Sequence, residues 1–307
     1  MARVFVTRAL PFETVDRLRA AHDVHEWSGD MPPPPADLRA GVADAEGLLS
    51  LITDRVDAAL LDAAPRLRAI ANMAVGTDNI DVEAAAARGI AVGNTPDVLT
   101  DATADLAFAL LLALARRIVP GAEKVRAGTW RTWEPAGDLG ADLAGATLGI
   151  VGWGRIGQAV ARRAAGFGME VVHSSRSSGV PLEELLATAD FVSLHTPLTP
   201  GTRALIDAAA LSRMKPTALL INTARGGVVD QDALRTALHE GTIAGAALDV
   251  TDPEPLPPDH PLLDSPNLLV VPHVGSATVR TRAKMAAMAV ENLLAALDGR
   301  PMPHPVT

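Results

Sequence analysis

The sequence predicts an α/β protein built from two doubly wound parallel-sheet domains. Three observations predict it. Short apolar runs alternate with helical patterns along the whole chain, the order expected of parallel sheets covered on both faces by helices. A glycine turn, Gly152-Trp153-Gly154-Arg155-Ile156-Gly157, stands between an apolar run and an amphipathic stretch. That turn arrives only near residue 150, so the first hundred residues carry a βα series of their own.

Candidate strands in the first series are Val4–Thr7, Gly47–Ile52, Leu67–Met73 and Ile90–Val92. The second series is Thr147–Val151, Glu170–His173, Phe191–Leu194, Ala218–Ile221, Ile243–Leu248 and Leu268–Val271. Helical patterns between them include Asp81–Ala87, Ile156–Phe167 and Gln231–His239. The most apolar stretch, Leu106 to Ala115, lies between Asp105 and Arg116-Arg117. It falls well short of the roughly 20 residues a membrane-spanning helix needs and reads as a buried helix. Its Leu110, Leu111 and Leu114 also suit a subunit interface. The prolines at 32–35 read as a rigid surface loop. A last helix, about Thr281 to Leu297, is expected to return to the first domain and make it discontinuous.

The 307 residues suffice for two domains of ordinary size. A net charge of −9 disfavours nucleic acid as a partner, because phosphate backbones need clustered Lys and Arg. With no cysteine, disulfides, thiolate metal sites and cysteine nucleophiles are excluded, and no metal site is expected. The N-terminus enters a strand at once without a signal-peptide pattern. These features lead to the expectation of a cytoplasmic protein with no membrane partner.

The glycine turn carries a nucleotide reading. Gly152 allows the tight turn, Gly154 lets backbone approach a pyrophosphate, and Gly157 lets helix and strand pack closely. The helix start at Arg155 and Ile156 then offers unpaired N–H groups and the positive end of a dipole. The end of the next strand bears on which nucleotide. An NAD site usually has an acid about 20 residues beyond the glycines, to hold the ribose 2′-hydroxyl. Here the stretch is Ser174-Ser175-Arg176-Ser177-Ser178, with no carboxylate between Glu170 and Glu183. A carboxylate repels a 2′-phosphate, whereas an arginine binds it through charge-assisted hydrogen bonds. The expected cofactor is therefore NADP(H), with NAD(H) possible.

Three stretches place a chemically useful residue just after a strand, where open α/β sheets bind ligands. Asn222-Thr223-Ala224-Arg225-Gly226 offers an arginine that can hold a carboxylate and polarise a carbonyl. Taken alone, an arginine after a strand is more often a surface ion pair. In Asp252-Pro253-Glu254-Pro255 two prolines restrain Glu254. A carboxylate so held can orient a histidine, although the segment alone also fits a solvated loop acid. Pro272-His273-Val274-Gly275-Ser276 brings a histidine out of an apolar strand; histidine suits proton transfer near neutrality. A structural histidine is the alternative. His22, His25, His239, His260 and His304 read as surface, His195 as lining a cofactor loop with Thr196 and Pro197, and His173 as a neighbour of the ribose pocket.

These motifs occur in one order over nearly the full chain, with Thr129-Trp130-Arg131-Thr132-Trp133-Glu134-Pro135 among them. Together they resemble the D-isomer-specific 2-hydroxyacid dehydrogenases, most of all the glyoxylate/hydroxypyruvate reductases of that family. The resemblance implies a Rossmann-type nucleotide domain at 98–281 and a discontinuous, flavodoxin-like substrate domain at 1–97 and 282–307. It implies a homodimer, hinges near 94–100 and 278–281, and a catalytic triad of Arg225, Glu254 and His273. The cofactor residues it implies are Thr103, Gly152, Gly154, Arg155, Ile156, Gly157, Ser174, Ser175, Arg176, Thr196, Pro197, Thr223, Asp249 and Ser276. Asp249 would hold the nicotinamide carboxamide. Backbone N–H groups of Val75 and Gly76 would take the substrate carboxylate, with Leu51, Arg225 and His273 also lining the substrate site. Trp133 resembles a residue that reaches a neighbouring subunit's site. The activity implied is reduction of small 2-oxoacids to D-2-hydroxyacids. A broader 2-ketoacid reductase, a phosphite dehydrogenase and a nucleotide-sensing corepressor-like protein share the motifs and stand as alternatives.

Overall fold

The computed structural model describes residues 1–10 and 13–306. Strand and helix alternate throughout, and the chain divides into two compact units: Met1–Leu99 with Ala277–Thr307, and Thr100–Ser276. The expected boundaries, after 97 and after 281, lie two and five residues away. Among the described residues no helix is long and apolar enough to cross a membrane.

The first unit runs β1 (Arg3–Val6), α1 (Asp16–Ala21), β2 (Asp23–Glu26), α2 (Pro35–Val42), β3 (Gly47–Ser50), α3 (Ala58–Asp62), β4 (Ala69–Asn72), α4 (Val82–Ala87) and β5 (Ala91–Gly93). Its five strands are parallel in the order β2-β1-β3-β4-β5, the flavodoxin-like arrangement. The strands β3 and β4 are buried at every residue, as a parallel sheet covered on both faces requires. Strand β2 is absent from the sequence reading. Asp23-Val24-His25-Glu26 is an edge strand with alternate residues exposed, so it lacks the apolar run that marks its neighbours. Pro35 opens α2 at its first turn, so the proline cluster is partly helix rather than loop throughout. His22 is also corrected: it is buried, not on the surface, because it closes α1 against the sheet.

The second unit runs α5 (Thr100–Ala115), α6 (Ile118–Arg126), β6 (Thr147–Val151), α7 (Arg155–Gly166), β7 (Glu170–Ser174), α8 (Leu182–Thr188), β8 (Phe191–Leu194), α9 (Ala208–Arg213), β9 (Leu219–Asn222), α10 (Gln231–Glu240), β10 (Gly245–Leu248) and β11 (Leu268–Val270). Its six parallel strands are ordered β11-β10-β9-β8-β6-β7. The chain leaves β6 to one side for β7 and returns on the other for β8, so a topological switch point opens between β6 and β8. Side chains of α5 and α7 fill one core, with Phe108, Leu111, Leu148, Ile150 and Phe191. The opposite core holds Leu185, Leu186, Leu211, Leu234 and Leu238 from α8, α9 and α10. Leu110 and Leu111 are buried in the unit's own core, so they are unavailable to a subunit interface. A run of exposed apolar side chains follows instead, at Ile118, Val119, Val125, Trp130, Trp133 and Leu139.

The chain then returns to the first unit as α11 (Val279–Leu297), which packs on β3, β4 and β5. Thr278 starts it by accepting the Thr281 backbone N–H. Asn292, fully buried on this helix, donates to Asn94 O and accepts from His304 N. It thereby ties the end of β5 to the C-terminal segment.

Candidate active site

In the second unit the register aligns Val151 with Ser174 and Leu194, Leu194 with Asn222, Asn222 with Leu248, and Leu248 with Val270. All strands are parallel, so the loops after them leave one edge of the sheet. Those loops carry the glycine turn, Ser174–Arg176, His195–Pro197, Thr223–Arg225, Asp249–Glu254 and His273–Ser276.

The glycine turn sits at the switch point. Gly152 has φ +100°, and a Cβ there would lie 2.5 Å from His195 O in the loop after β8. Only glycine satisfies both the backbone and the approach. A Cβ on Gly157 would lie 2.2 Å from Gly152 O, so helix and turn also need that residue bare. Gly154 differs: nothing lies within 4 Å of its Cβ position. It is the N-cap of α7 and makes no side-chain cap, and the first N–H groups of a helix have no partner within the helix itself. An anionic group fits such a cradle. Two further observations favour a polar ligand at this edge. Thr223 Oγ1 and His195 Nδ1 are buried without a hydrogen-bond partner. The other ring nitrogen of His195 pairs with Ser193 Oγ at 2.8 Å, and burial lowers the pKa of this histidine to about 4, so it is neutral at pH 7.

The loop after β7 closes on itself. The backbone N–H and the hydroxyl of Ser175 both donate to Ser178 O, and Ser178 N donates to Ser175 Oγ. The Ser175 hydroxyl therefore builds the turn, while Arg176 is exposed. Trp153, from the glycine turn, stacks on His173 with ring centroids 4.0 Å apart. Thr196 and Pro197 follow His195 on the partly exposed side of the loop after β8.

The proposed triad lies on three adjacent strand ends. Asn222 shapes the arginine loop: its Oδ1 accepts from Ala224 N and its Nδ2 donates to Arg225 O. A Cβ on Gly226 would fall 2.0 Å from the Thr251 backbone, so the loops after β9 and β10 approach closely through that glycine. The peptide bonds before Pro253 and Pro255 are cis. Between them the Glu254 carboxylate pairs with His273 Nδ1. His273 itself has φ +51°, a left-handed conformation that costs a non-glycine residue about 1–2 kcal/mol. Asp249 holds it there. Its two carboxylate oxygens accept from Val274 N at 2.6 Å and Gly275 N at 2.9 Å, and its carbonyl accepts from His273 N. Burial raises the Asp249 carboxyl pKa against these stabilising bonds. Thr103, buried at the start of α5, donates to Gly275 O at 3.3 Å, and Ser276 follows in the same turn.

The remaining predicted residues are carried by other segments of the chain. Trp133 is 79% exposed in the segment between α6 and β6. Leu51, Val75 and Gly76 belong to the first unit, in loops after β3 and β4. The supporting roles of Asn222 and Ser193, and that of Asp249 as a clamp, are not legible as site signals. Each acts on backbone or on a neighbour that only the register brings close.

A parallel-sheet nucleotide unit with a glycine cradle and a carboxylate-paired histidine is that of a nicotinamide-dependent dehydrogenase. Residues 108–275 match the family model described as D-isomer specific 2-hydroxyacid dehydrogenase, NAD binding domain. The chain is 50% identical to a glyoxylate reductase of Korarchaeum cryptofilum, over 98% of this chain and 95% of that protein. A solved structure from Thermus thermophilus is similar at a TM-score of 0.95 and 54% identity, covering 99% of this chain and 100% of that one. An NADPH-dependent glyoxylate/hydroxypyruvate reductase from Sinorhizobium meliloti, solved with NADP and malonate, is 35% identical at a TM-score of 0.86. There the similarity covers 100% of this chain and 97% of that one. The chain belongs to the D-isomer-specific 2-hydroxyacid dehydrogenase family and is an NAD(P)-dependent oxidoreductase of that family.

The glycines separate two effects. Gly152→Ala is expected to destabilise the protein by at least about 1 kcal/mol in urea unfolding, through its backbone and the His195 contact. Gly154→Ala is expected to unfold like the wild type yet to bind nicotinamide dinucleotide more weakly by fluorescence titration. Equal behaviour of the two variants contradicts these assignments.

Proposed function

We propose that this protein is an NADPH-dependent glyoxylate/hydroxypyruvate reductase, which converts small 2-oxoacids to D-2-hydroxyacids. The observation that carries the reading is the His273–Glu254 pair on the strand edge that also bears Arg225 and the glycine cradle. When bound, the reduced nicotinamide supplies a hydride to the substrate's carbonyl carbon. Negative charge then grows on the carbonyl oxygen, and the Arg225 guanidinium stabilises it. His273, with Nδ1 engaged by Glu254, gives the proton from Nε2 to that oxygen. In the oxidation direction the same nitrogen takes the proton back. The substrate carboxylate goes to the backbone N–H groups of Val75 and Gly76, and Leu51 limits the side chain accepted. Gly152, Gly154 and the start of α7 hold the pyrophosphate, Thr223 and Thr196 line the dinucleotide, and Asp249 has lone pairs left for the carboxamide.

The preference for NADPH is supported by Arg176 and by the absence of any carboxylate from 171 to 182. It is also supported by the NADPH dependence of the Sinorhizobium relative. A homodimer suits the exposed apolar side chains Ile118, Val119, Val125, Trp130, Trp133 and Leu139.

The test is the initial rate of NADPH and NADH oxidation with glyoxylate, hydroxypyruvate and pyruvate. Turnover of the first two with NADPH supports the proposal; no turnover of any 2-oxoacid refutes it. Arg225→Ala is expected to lower kcat about a hundredfold or more, and near-normal turnover contradicts its role. The double variant Ser175→Asp/Arg176→Ala is expected to favour NADH, read from the ratio of kcat/KM for the two cofactors. An unchanged ratio rejects the assignment of the 2′-phosphate site.

A further inference from the structure

Within the first unit, the loop after β4 has an unusual hydrogen-bond pattern. Three consecutive carbonyls are held by the protein. Ala74 O accepts from Thr95 N at 2.9 Å, Val75 O from Asn94 Nδ2 at 2.8 Å, and Gly76 O from Asn72 Nδ2 at 2.9 Å. The three N–H groups on the same peptide planes, those of Val75, Gly76 and Thr77, donate to no protein acceptor among the described residues. These peptides are trans, and in a trans peptide the N–H points opposite to the C=O. Pinning each carbonyl on the protein side therefore turns each N–H away from it. Successive unpaired N–H groups of this kind form an anion-binding nest.

The pins are themselves buttressed. Asn72 is fully buried; its Nδ2 also donates to Asn79 Oδ1, and its Oδ1 accepts from Ser50 Oγ. Asn79 Nδ2 donates to both Leu51 O and Asp54 O, each at 3.0 Å. Asp54, buried, accepts from Leu51 N and from the Thr7 hydroxyl, and burial raises its pKa against those bonds. Asn94 is held in turn by Asn292. Thus one chain of side-chain amides links the loop carrying Leu51 to the loop carrying Val75 and Gly76.

We propose that Asn72, Asn79 and Asn94 are positioning residues for the substrate carboxylate: they pin the carbonyls of the 74–77 loop and keep three consecutive N–H groups turned out to receive it. This rests on the reading of the protein as a 2-oxoacid reductase. The nest carries no formal charge and is held in shape before substrate arrives, so its contribution appears in substrate affinity rather than in the chemical step.

The test compares Asn72→Leu, which keeps the volume and removes the pin on Gly76 O, with Asn79→Ala, which loosens the same relay from its partly exposed end. Leu38→Ala serves as a control that weakens the opposite core of this unit without touching the relay. Both relay variants are expected to raise KM for glyoxylate at least tenfold, with kcat within threefold and NADPH affinity within twofold of wild type. The control lowers the unfolding midpoint and leaves KM within twofold. A folded relay variant with unchanged KM, or with kcat reduced at constant KM, overturns the proposal. Should neither relay variant fold, the wild-type protein saturated with NADP+ is titrated with the 2-oxoacid analogue oxamate and followed by amide NMR. Shifts at Gly76 and Thr77 support the nest, and their absence refutes it. Failure of the wild type to reduce any 2-oxoacid is a different outcome, which rejects the functional reading and leaves the oxamate titration as the reading of the nest.

Discussion

The clamp of Asp249 on the turn after β11 is the interaction on which the reactive geometry depends. One buried carboxylate takes two successive backbone N–H groups, from Val274 and Gly275, while its own carbonyl takes that of His273. Those bonds help to offset the left-handed backbone at His273. With them the imidazole is delivered to Glu254 through Nδ1, which in the proposed function leaves Nε2 for the substrate. The carboxylate is held where burial disfavours its charge. Hydrogen bonds to the charged form are what make that tolerable.

The same device recurs along the strand ends of both units. Asn222 folds the arginine loop around its own amide, and Asn72, Asn79 and Asn94 do the equivalent for the loop at 74–77. Parallel strands end with backbone groups that have no ladder partner, and a loop leaving them must find partners elsewhere. Short amide and carboxylate side chains at those ends supply the partners and fix the loop's shape. Glycine completes the arrangement where two loops approach closely, as Gly152 does against His195 and Gly226 against Thr251.

Much of this architecture is legible in the sequence, for physical reasons that also mark where legibility stops. Strands buried on both faces, such as Phe191–Leu194, read as apolar runs and appear where expected. The edge strand Asp23–Glu26 has no such run and becomes a strand only by pairing with β1. The strand from Gly47 ends at Ser50, not Ile52, because the Asp54 carboxylate and backbone turn Leu51 out of the ladder. Arg225, Glu254 and His273 are visible because each follows a strand with reactive chemistry. The residues that hold them are not, since a hydrogen bond to a side chain more than twenty positions away, as from Gly275 to Asp249, leaves no local pattern. Leu110 and Leu111 illustrate the reverse difficulty: leucines in an apolar helix look alike from either side, and only packing assigns them to the core.

The most direct measurement of the central claim is the tautomer of His273 in the neutral ring, read by long-range proton–nitrogen correlation on the selectively labelled protein. The account predicts a proton on Nδ1, facing Glu254, with Nε2 bare and open to the substrate. A proton on Nε2 with Nδ1 bare would contradict it, because Glu254 could then no longer accept from the ring and the Asp249 clamp would be holding the histidine for some other purpose.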